Sequence, residues 1–374
     1  MGTRWSVKIV SMNTSTDAQS EDNDRIDAGR RRFLQSGLAA AGAMMAEPLL
    51  CSTAFAELAP LEMTETGPDS IPRKPLGKTG EHVSIIGLGG YHLGTMESLK
   101  SAVRLVQEAI DAGINFCDNA WEYNEGRSEK WLGHALKGRR DKVFLMTKVC
   151  THGRDKKVAM KQLEQSLSRL GTDHLDLWQV HECIYYNDPE LHFAGGGVIE
   201  ALEDAKKQGK VRWVGFTGHK SPAIHLKMLS YNYSFDTVQM PLNCFDGSYK
   251  SFEQQVLPEV LRRGMAALGM KSIGGDGQPI IHGAVTAVEA LRYAMSLQVA
   301  TTISGMDSLE VLRQNLAIAR GFKPYSAAEM QTLRDRCAPL AADGHLELYK
   351  STKKYDAAIG REQHGYPSME ELPL

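Results

Sequence analysis

The sequence predicts an α/β protein whose chain closes into a barrel of eight parallel strands, each followed by a helix. Two observations carry that expectation. From Val83 onward, short apolar, β-branched runs appear eight times, and amphipathic stretches at helical spacing lie between them. Strands alternating with helices build right-handed βαβ units and a parallel sheet. Eight such units in roughly 240 residues suit a (β/α)8 TIM barrel. A third observation speaks against the rival, an open doubly wound sheet. That fold wants a Gly-rich fingerprint after its first strand, and "GLGGYHLG" lacks the GxGxxG spacing.

The eight runs, in order, are "VSIIGLG" (83–89), "INFCDNA" (114–120), "KVFLMTKV" (142–149), "LDLWQVH" (175–181), "VRWVGFTG" (211–218), "DTVQMPL" (236–242), "MAALGMKS" (265–272) and "ATTISG" (300–305). Helices are predicted at "SLKSAVRLVQEAIDAG", "KKVAMKQLEQSLSRLG", "VIEALEDAKKQGK" and "SFEQQVLPEVLRRG", several closed by Gly or Lys-Gly. Beyond Gly321, "SAAEMQTLRDRCAPLAAD" reads as a further helix on the barrel exterior. The polar tail from about Lys350 has no periodicity and reads as loop or disorder.

The first 60 residues differ in kind. Polar sequence reaches Asp27; Arg30, Arg31 and Arg32 then precede Phe33-Leu34, and an Ala/Gly-rich, weakly apolar stretch runs to Ala54 and Ala56, an A-x-A cleavage pattern. The arginine pair resembles a twin-arginine (Tat) export signal, which implies the Tat machinery as a partner and a periplasmic destination. Glu47 and Pro48 break the apolar run, so no stable membrane anchor is expected, and Cys51 lacks the small residue that precedes a lipidated cysteine. The expected organisation is a signal peptide and leader at 1–56, a linker at 57–71, the barrel at 72–322 and a C-terminal helix and tail at 323–374.

Composition narrows the function. A net charge of -2 gives no nucleic-acid or acidic-substrate surface. The six cysteines (51, 117, 150, 183, 244, 337) contain no CxxC pair, so no metal site is expected. Barrel chemistry assembles at the C-terminal strand ends. There the sequence puts Asp118 at the second strand, Tyr123 in the loop after it, Lys148 at the third and His181 at the fourth. A phenol with an ordinary pKa of about 10 is a weak acid, and a neighbouring ammonium would pull that value down. Tyr123 then serves as general acid to an alkoxide, Lys148 tunes it, Asp118 holds the lysine, and His181 orients a carbonyl oxygen. An alkoxide requires a hydride donor, which side chains cannot supply and a nicotinamide cofactor can.

With those residues placed, the chain resembles an aldo-keto reductase from about Pro72 to Phe322. "RKPLGKTGEHVSIIGLGG" is similar to the family's N-terminal segment, a hairpin that plugs the barrel floor. "GINFCDNAWEYNEGRSEKWLGHAL" is similar to its G-x-N-x-x-D-x-A-x-x-Y signature at Gly113, Asn115, Asp118, Ala120 and Tyr123, with Lys148 and His181 completing the catalytic set. The resemblance implies NADP(H), with NAD(H) as the alternative. It places Thr217 and Gln239 at the nicotinamide amide, Ser304, Gly305 and Met306 at the adenosine phosphate side, and Gln314 and Asn315 near the adenine. The chain departs from the family at Thr217-Gly218, where Ser-Asn is common, and at Met270, where an aromatic ring usually stacks on the nicotinamide. Gly305 and Val311 stand where many members carry bases for the 2′-phosphate, with Arg313 nearby out of register. Lys271 is a candidate for the pyrophosphate. Tyr91, His92, Trp121 and "ECIYYNDPELHFAGGG" are expected to line the substrate mouth, where aromatic walls would suit an apolar or cyclic carbonyl compound. Two other readings stand beside a reductase: a nicotinamide-binding redox sensor with little turnover, and a lyase or aldolase using Lys148 as a Schiff base.

Overall fold

The computed structural model describes residues 61–64, 70–150 and 155–371. The twin-arginine motif, the cleavage pattern and Cys51 lie outside the described residues. Among the described residues there are ten strands: β1 (Arg73–Pro75), β2 (His82–Ser84), β3 (Ile86–Gly89), β4 (Phe116–Cys117), β5 (Phe144–Val149), β6 (Leu175–Val180), β7 (Val211–Thr217), β8 (Thr237–Pro241), β9 (Ala266–Met270) and β10 (Thr301–Gly305). Strands β3 to β10 close into a parallel barrel in chain order, β10 pairing back onto β3 with Ser304 opposite Leu88. Each of the eight apolar runs supplies one stave.

The first run splits. β1 and β2 form an antiparallel hairpin, Lys74 opposite Val83, and the barrel strand starts only at Ile86. The Ser84 hydroxyl donates to the Ile86 carbonyl at 2.7 Å, a local bond that offers the backbone an alternative to continuing the ladder. Leu76 and Val83 of the hairpin join Phe116, Phe144, Met146, Leu177, Leu268 and Ile303 in a closed interior cluster, so the hairpin stoppers one end of the barrel.

The helices are ended by local chemistry. Leu99–Asp111 starts at Ser98, whose side chain accepts from the Ser101 N–H, and buries Ala102, Leu105, Val106, Ala109 and Ile110 at three- and four-residue spacing. Lys156–Leu170 begins with Asp155 accepting from Val158 N–H and stops at Gly171 with φ 66°. The predicted helix over 251–264 is broken into Phe252–Gln255 and Leu257–Arg262. Pro258 has no N–H to carry the ladder through that point. Ala327–Ala341 opens with a capping box, Ser326 against Glu329.

The tail expected as loop or disorder is instead tied across the C-terminal rim. It carries helices Leu348–Ser351 and Ala358–Gln363. Lys350 Nζ donates to Asp246 Oδ1 at 2.7 Å, Glu347 Oε2 at 2.8 Å and the Tyr249 carbonyl at 2.9 Å. Asn243 Nδ2 donates to Tyr349 Oη at 2.9 Å, Lys220 pairs with Asp356 at 2.8 Å, and the Ala357 N–H donates to Glu182 Oε2 at 3.0 Å. These are long-range polar contacts, which leave no periodic trace in a sequence. Among the described residues no helix is long and apolar enough to cross a membrane.

Candidate active site

Strand alternation decides which side chains face the axis. Phe116, Phe144, Met146, Leu177 and Leu268 fill the interior. One step of two beyond them come Asp118, Lys148, Gln179 and Met270, and one more on β6 brings His181. The same parity that packs the core therefore raises the polar groups at its open end. Asp118, Lys148 and His181 are 3%, 1% and 7% exposed.

Lys148 is the hub. Its ammonium makes a close ion pair with Asp118 Oδ1, donates to the Asn119 carbonyl at 2.7 Å and lies 3.5 Å from Tyr123 Oη, 4.9 Å from that ring's centroid. A buried ammonium without partners would be costly, and here every direction is answered. Tyr123 opens a tight turn, Tyr123–Gly126, in which Asn124 and Glu125 take left-handed φ of 51° and 58°. Its ring meets Tyr91 and His181 edge-on, with centroids 5.5 and 5.6 Å away.

The electrostatics correct one expectation. Tyr123 is not acidified in this structure. Burial, reinforced by the Asp118, Glu122 and Glu182 carboxylates, holds its phenol well above the ordinary value. The Lys148 charge is already neutralised by Asp118, so little is left to favour a resting phenolate. The hydroxyl is therefore protonated at neutral pH, the form a general acid requires. The ammonium can still stabilise the phenolate created when that proton leaves.

His181 holds a partner that sequence reasoning missed. Its Nδ1 is in close hydrogen-bond contact with Glu122 Oε1, each side chain 8% exposed. Burial draws the imidazole below its ordinary value, with Glu122 opposing. Glu122 occupies a variable position of the signature, beside the phenol, so only the fold could pair it with the fourth strand. Glu182 and Lys271 also face this region. Burial raises the Glu182 carboxyl well above its usual range and lowers Lys271 to about 8. The Lys271 ammonium lies 5.4 and 5.1 Å from the Tyr349 and Tyr355 ring centroids, both on the tail. The rim is thus more polar than the aromatic walls suggested.

The other candidates are held by local contacts. Trp121 directs its indole N–H to the helix Lys156–Leu170, Nε1 donating to Gln165 Oε1 at 2.8 Å with Arg169 5.4 Å over the ring. A buried indole N–H needs an acceptor, and Gln165 supplies it. Tyr91 is half exposed against Tyr123, and a Cβ at Gly305 would lie 2.1 Å from His92 Nδ1, so His92 packs onto the end of β10. Gly218 can present only backbone. A Cβ there would lie 2.4 Å from the Cys183 carbonyl oxygen, which explains glycine where Asn is common. Met306 is wholly buried, Gln314 is exposed, and Asn315 Nδ2 donates to Ser304 Oγ at 3.1 Å. Arg313 is held by Glu108 through a two-point contact at 2.7 and 3.2 Å.

Gln239 bears on a cofactor. Its Nε2 donates to Asp118 Oδ2 at 3.0 Å and lies 3.7 Å from Met270 Sδ, while Oε1 is buried with no hydrogen-bond partner. Thr217 Oγ1 is 4.0 Å from the same sulfur. An orphaned acceptor beside a thioether suits a flat ring bearing a carboxamide, because an amide N–H would satisfy Oε1 and the ring would lie on sulfur. Among the described residues no group of three or more His, Cys, Asp or Glu side chains is arranged to hold a metal ion.

The aldo/keto reductase family profile matches residues 85–277, just over half of the chain. The chain belongs to the aldo/keto reductase family. Among curated relatives, it is 30% identical over 214 residues to the uncharacterized oxidoreductase YqkF of Bacillus subtilis, a match covering 53% of this chain and 66% of that protein. The chain thus spans a little under two thirds of that relative's length. Among solved structures it is similar to an aldo-keto reductase of Bacillus halodurans in its holo form, with TM-score 0.60 and 24% identity over 74% of this chain and 99% of the other. It is also similar to an aldo/keto reductase of Klebsiella pneumoniae in complex with NADP and acetate, with TM-score 0.57 and 21% identity over 70% and 94% of the two chains. At those identities the structural likenesses speak for the fold. The closed eight-stranded parallel barrel and the family's sequence pattern thus coincide in this chain.

Proposed function

We propose that this aldo-keto reductase reduces an aldehyde or ketone to an alcohol, taking hydride from NADPH, with NADH as the alternative donor and Tyr123 as the proton donor. One observation carries the reading: a buried ammonium lies between the Asp118 carboxylate and the Tyr123 hydroxyl, 3.5 Å from the latter. When bound, the reduced nicotinamide supplies the hydride. Thr217 and Gln239 would hold its amide and Met270 would offer its thioether to the ring. Lys271 would hold the pyrophosphate, Ser304 with the backbone at Gly305 and Met306 would hold the adenosine phosphate side, and Gln314 and Asn315 would hold the adenine. As negative charge develops on the substrate oxygen, the protonated Tyr123 hydroxyl donates to it. Lys148, fixed by Asp118 and the Asn119 carbonyl, then stabilises the phenolate. The Klebsiella relative's complex with NADP agrees with this nucleotide.

A fluorescence titration with NADPH, followed by multiple-turnover assays on simple aldehydes, tests the proposal. Saturable binding with repeated turnover is the expected result. Tight binding without turnover would favour the redox sensor, and borohydride trapping of substrate on Lys148 would favour a Schiff-base lyase. Gln239→Leu should weaken NADPH binding about fivefold, the worth of one ordinary hydrogen bond at roughly 1 kcal/mol. The same titration measures it, and unchanged affinity would remove Gln239 from the nicotinamide site.

We also propose export by the Tat route to the periplasm, supported by Arg30-Arg31 ahead of the apolar stretch. Replacing both arginines by lysine should retain the precursor in the cytoplasm. Fractionation and immunoblotting would expose an unaltered distribution, which would defeat the assignment.

A further inference from the structure

The Glu122–His181 pair has no part in the reading above beyond its presence in the site. Glu122 stands on the loop after β4, next to Tyr123, and reaches across to the residue that ends β6. Oε1 engages His181 Nδ1, and Oε2 is buried with no hydrogen-bond partner. Burial pushes this carboxyl up, His181 pulls it down, and the balance leaves it below the ordinary carboxylate range. Glu122 is therefore an anion whose hydrogen-bond partner is the imidazole. The other groups around His181 are Asp118 at the end of β4, Tyr123, Lys148 on β5, Glu182 next in the chain, and His219 after β7.

We propose that Glu122 is a positioning residue for His181, its carboxylate holding the Nδ1 proton so that Nε2 becomes the atom offered to the substrate oxygen. The consequence is chemical. A neutral ring protonated at Nδ1 has a lone pair at Nε2, which accepts from an alcohol but repels a carbonyl oxygen. To orient a carbonyl, His181 needs a second proton, and the imidazolium is the state Glu122 stabilises. The inference rests on the carbonyl-reducing reading of the site. Its sign is fixed: Glu122 raises the proton affinity of His181, so the assistance is present at low pH and lost as pH rises through the imidazole's titration.

The test compares the full chain with Glu122→Gln, Glu122→Ala and Glu122→Asp. Gln keeps an acceptor for Nδ1–H and removes the charge; Ala removes both. Two readouts are taken: aldehyde reduction between pH 5 and 9, and the 15N titration of the His181 ring in ligand-free protein, assigned by loss of its signals in His181→Gln. In Glu122→Gln the imidazole should titrate at least about one unit lower. Reduction at pH 7 should fall about tenfold, since each unit is tenfold in the protonated fraction. Glu122→Asp should recover part of both. A merely structural role would lower activity evenly without moving either titration. Reduction and ring titration both native-like in Glu122→Gln and Glu122→Ala would overturn the proposal. A shifted ring titration in a protein that reduces no carbonyl would uphold the pairing and sink the reductase reading instead.

Discussion

Replacing Tyr123 by Phe should lower carbonyl reduction about 10³-fold, within the usual range for losing a positioned general acid, and leave NADPH affinity within about twofold. The substitution deletes one hydroxyl and little else. The ring keeps its edge contacts with Tyr91 and His181, and Lys148 keeps Asp118 and the Asn119 carbonyl. The barrel should therefore melt where the native protein does, which thermal unfolding checks. The pH dependence has a defined sign as well. Because the phenol is held well above its ordinary value by burial and three carboxylates, it stays protonated through neutral pH, and its deprotonation should not limit reduction below pH 9. Any decline between pH 6 and 8 then belongs to another group, His181 first among them. Steady-state kinetics with a simple aldehyde decide the matter. If Tyr123→Phe retains near-native kcat, proton delivery comes from elsewhere and the assignment fails.

How far the sequence could go is set by how local each signal is. The eight staves were legible because apolar, β-branched runs and helical periodicity are short-range patterns, and their parity carries Asp118, Lys148 and His181 to one rim without further information. The break after Ser84 was not legible, since it depends on a hairpin closing the floor and on one side-chain hydrogen bond. The partner of Trp121 was not legible for a related reason. Its neighbour Tyr123 faces the rim, but a buried indole N–H takes the nearest acceptor, and Gln165 lies on a helix 44 residues further along. Glu122 was visible as an acid beside a phenol, yet nothing in the sequence joins it to a histidine 59 residues away. The predicted acidification of Tyr123 failed because Asp118 was read only as the holder of Lys148, whereas burial comes first and the same carboxylate, with Glu122 and Glu182, also favours the protonated phenol.

The tail shows the same limit and yields the second large effect. Lys350 sits in a wholly buried cluster, 0% exposed with Asp246 also at 0% and Glu347 at 1%, and it is the shared cation of both carboxylates. Lys350→Met should cost about 3–5 kcal/mol, because removing one partner leaves buried charge without compensation. The volume is nearly conserved, so packing loss is not the cause. The cost should depend on pH in a set direction. Burial already raises Glu347 above its ordinary value, with Lys350 opposing. Without the ammonium that carboxyl rises further, and the folded chain binds its proton more tightly than the unfolded chain. The variant's deficit should accordingly be greatest at neutral and higher pH and shrink as pH falls through the raised value, which urea titrations at pH 5 and 8 would resolve. Because Tyr349, next to Lys350, flanks the Lys271 ammonium at 5.4 Å, loosening this anchor should also raise the KM for NADPH while Tyr123 chemistry persists. Adding Asp246→Asn and Glu347→Gln to Lys350→Met should restore part of the stability, since neutral partners no longer need a cation. A single variant as stable as the native protein at pH 8 would mean that the cluster contributes specificity of the tail's position and no net free energy.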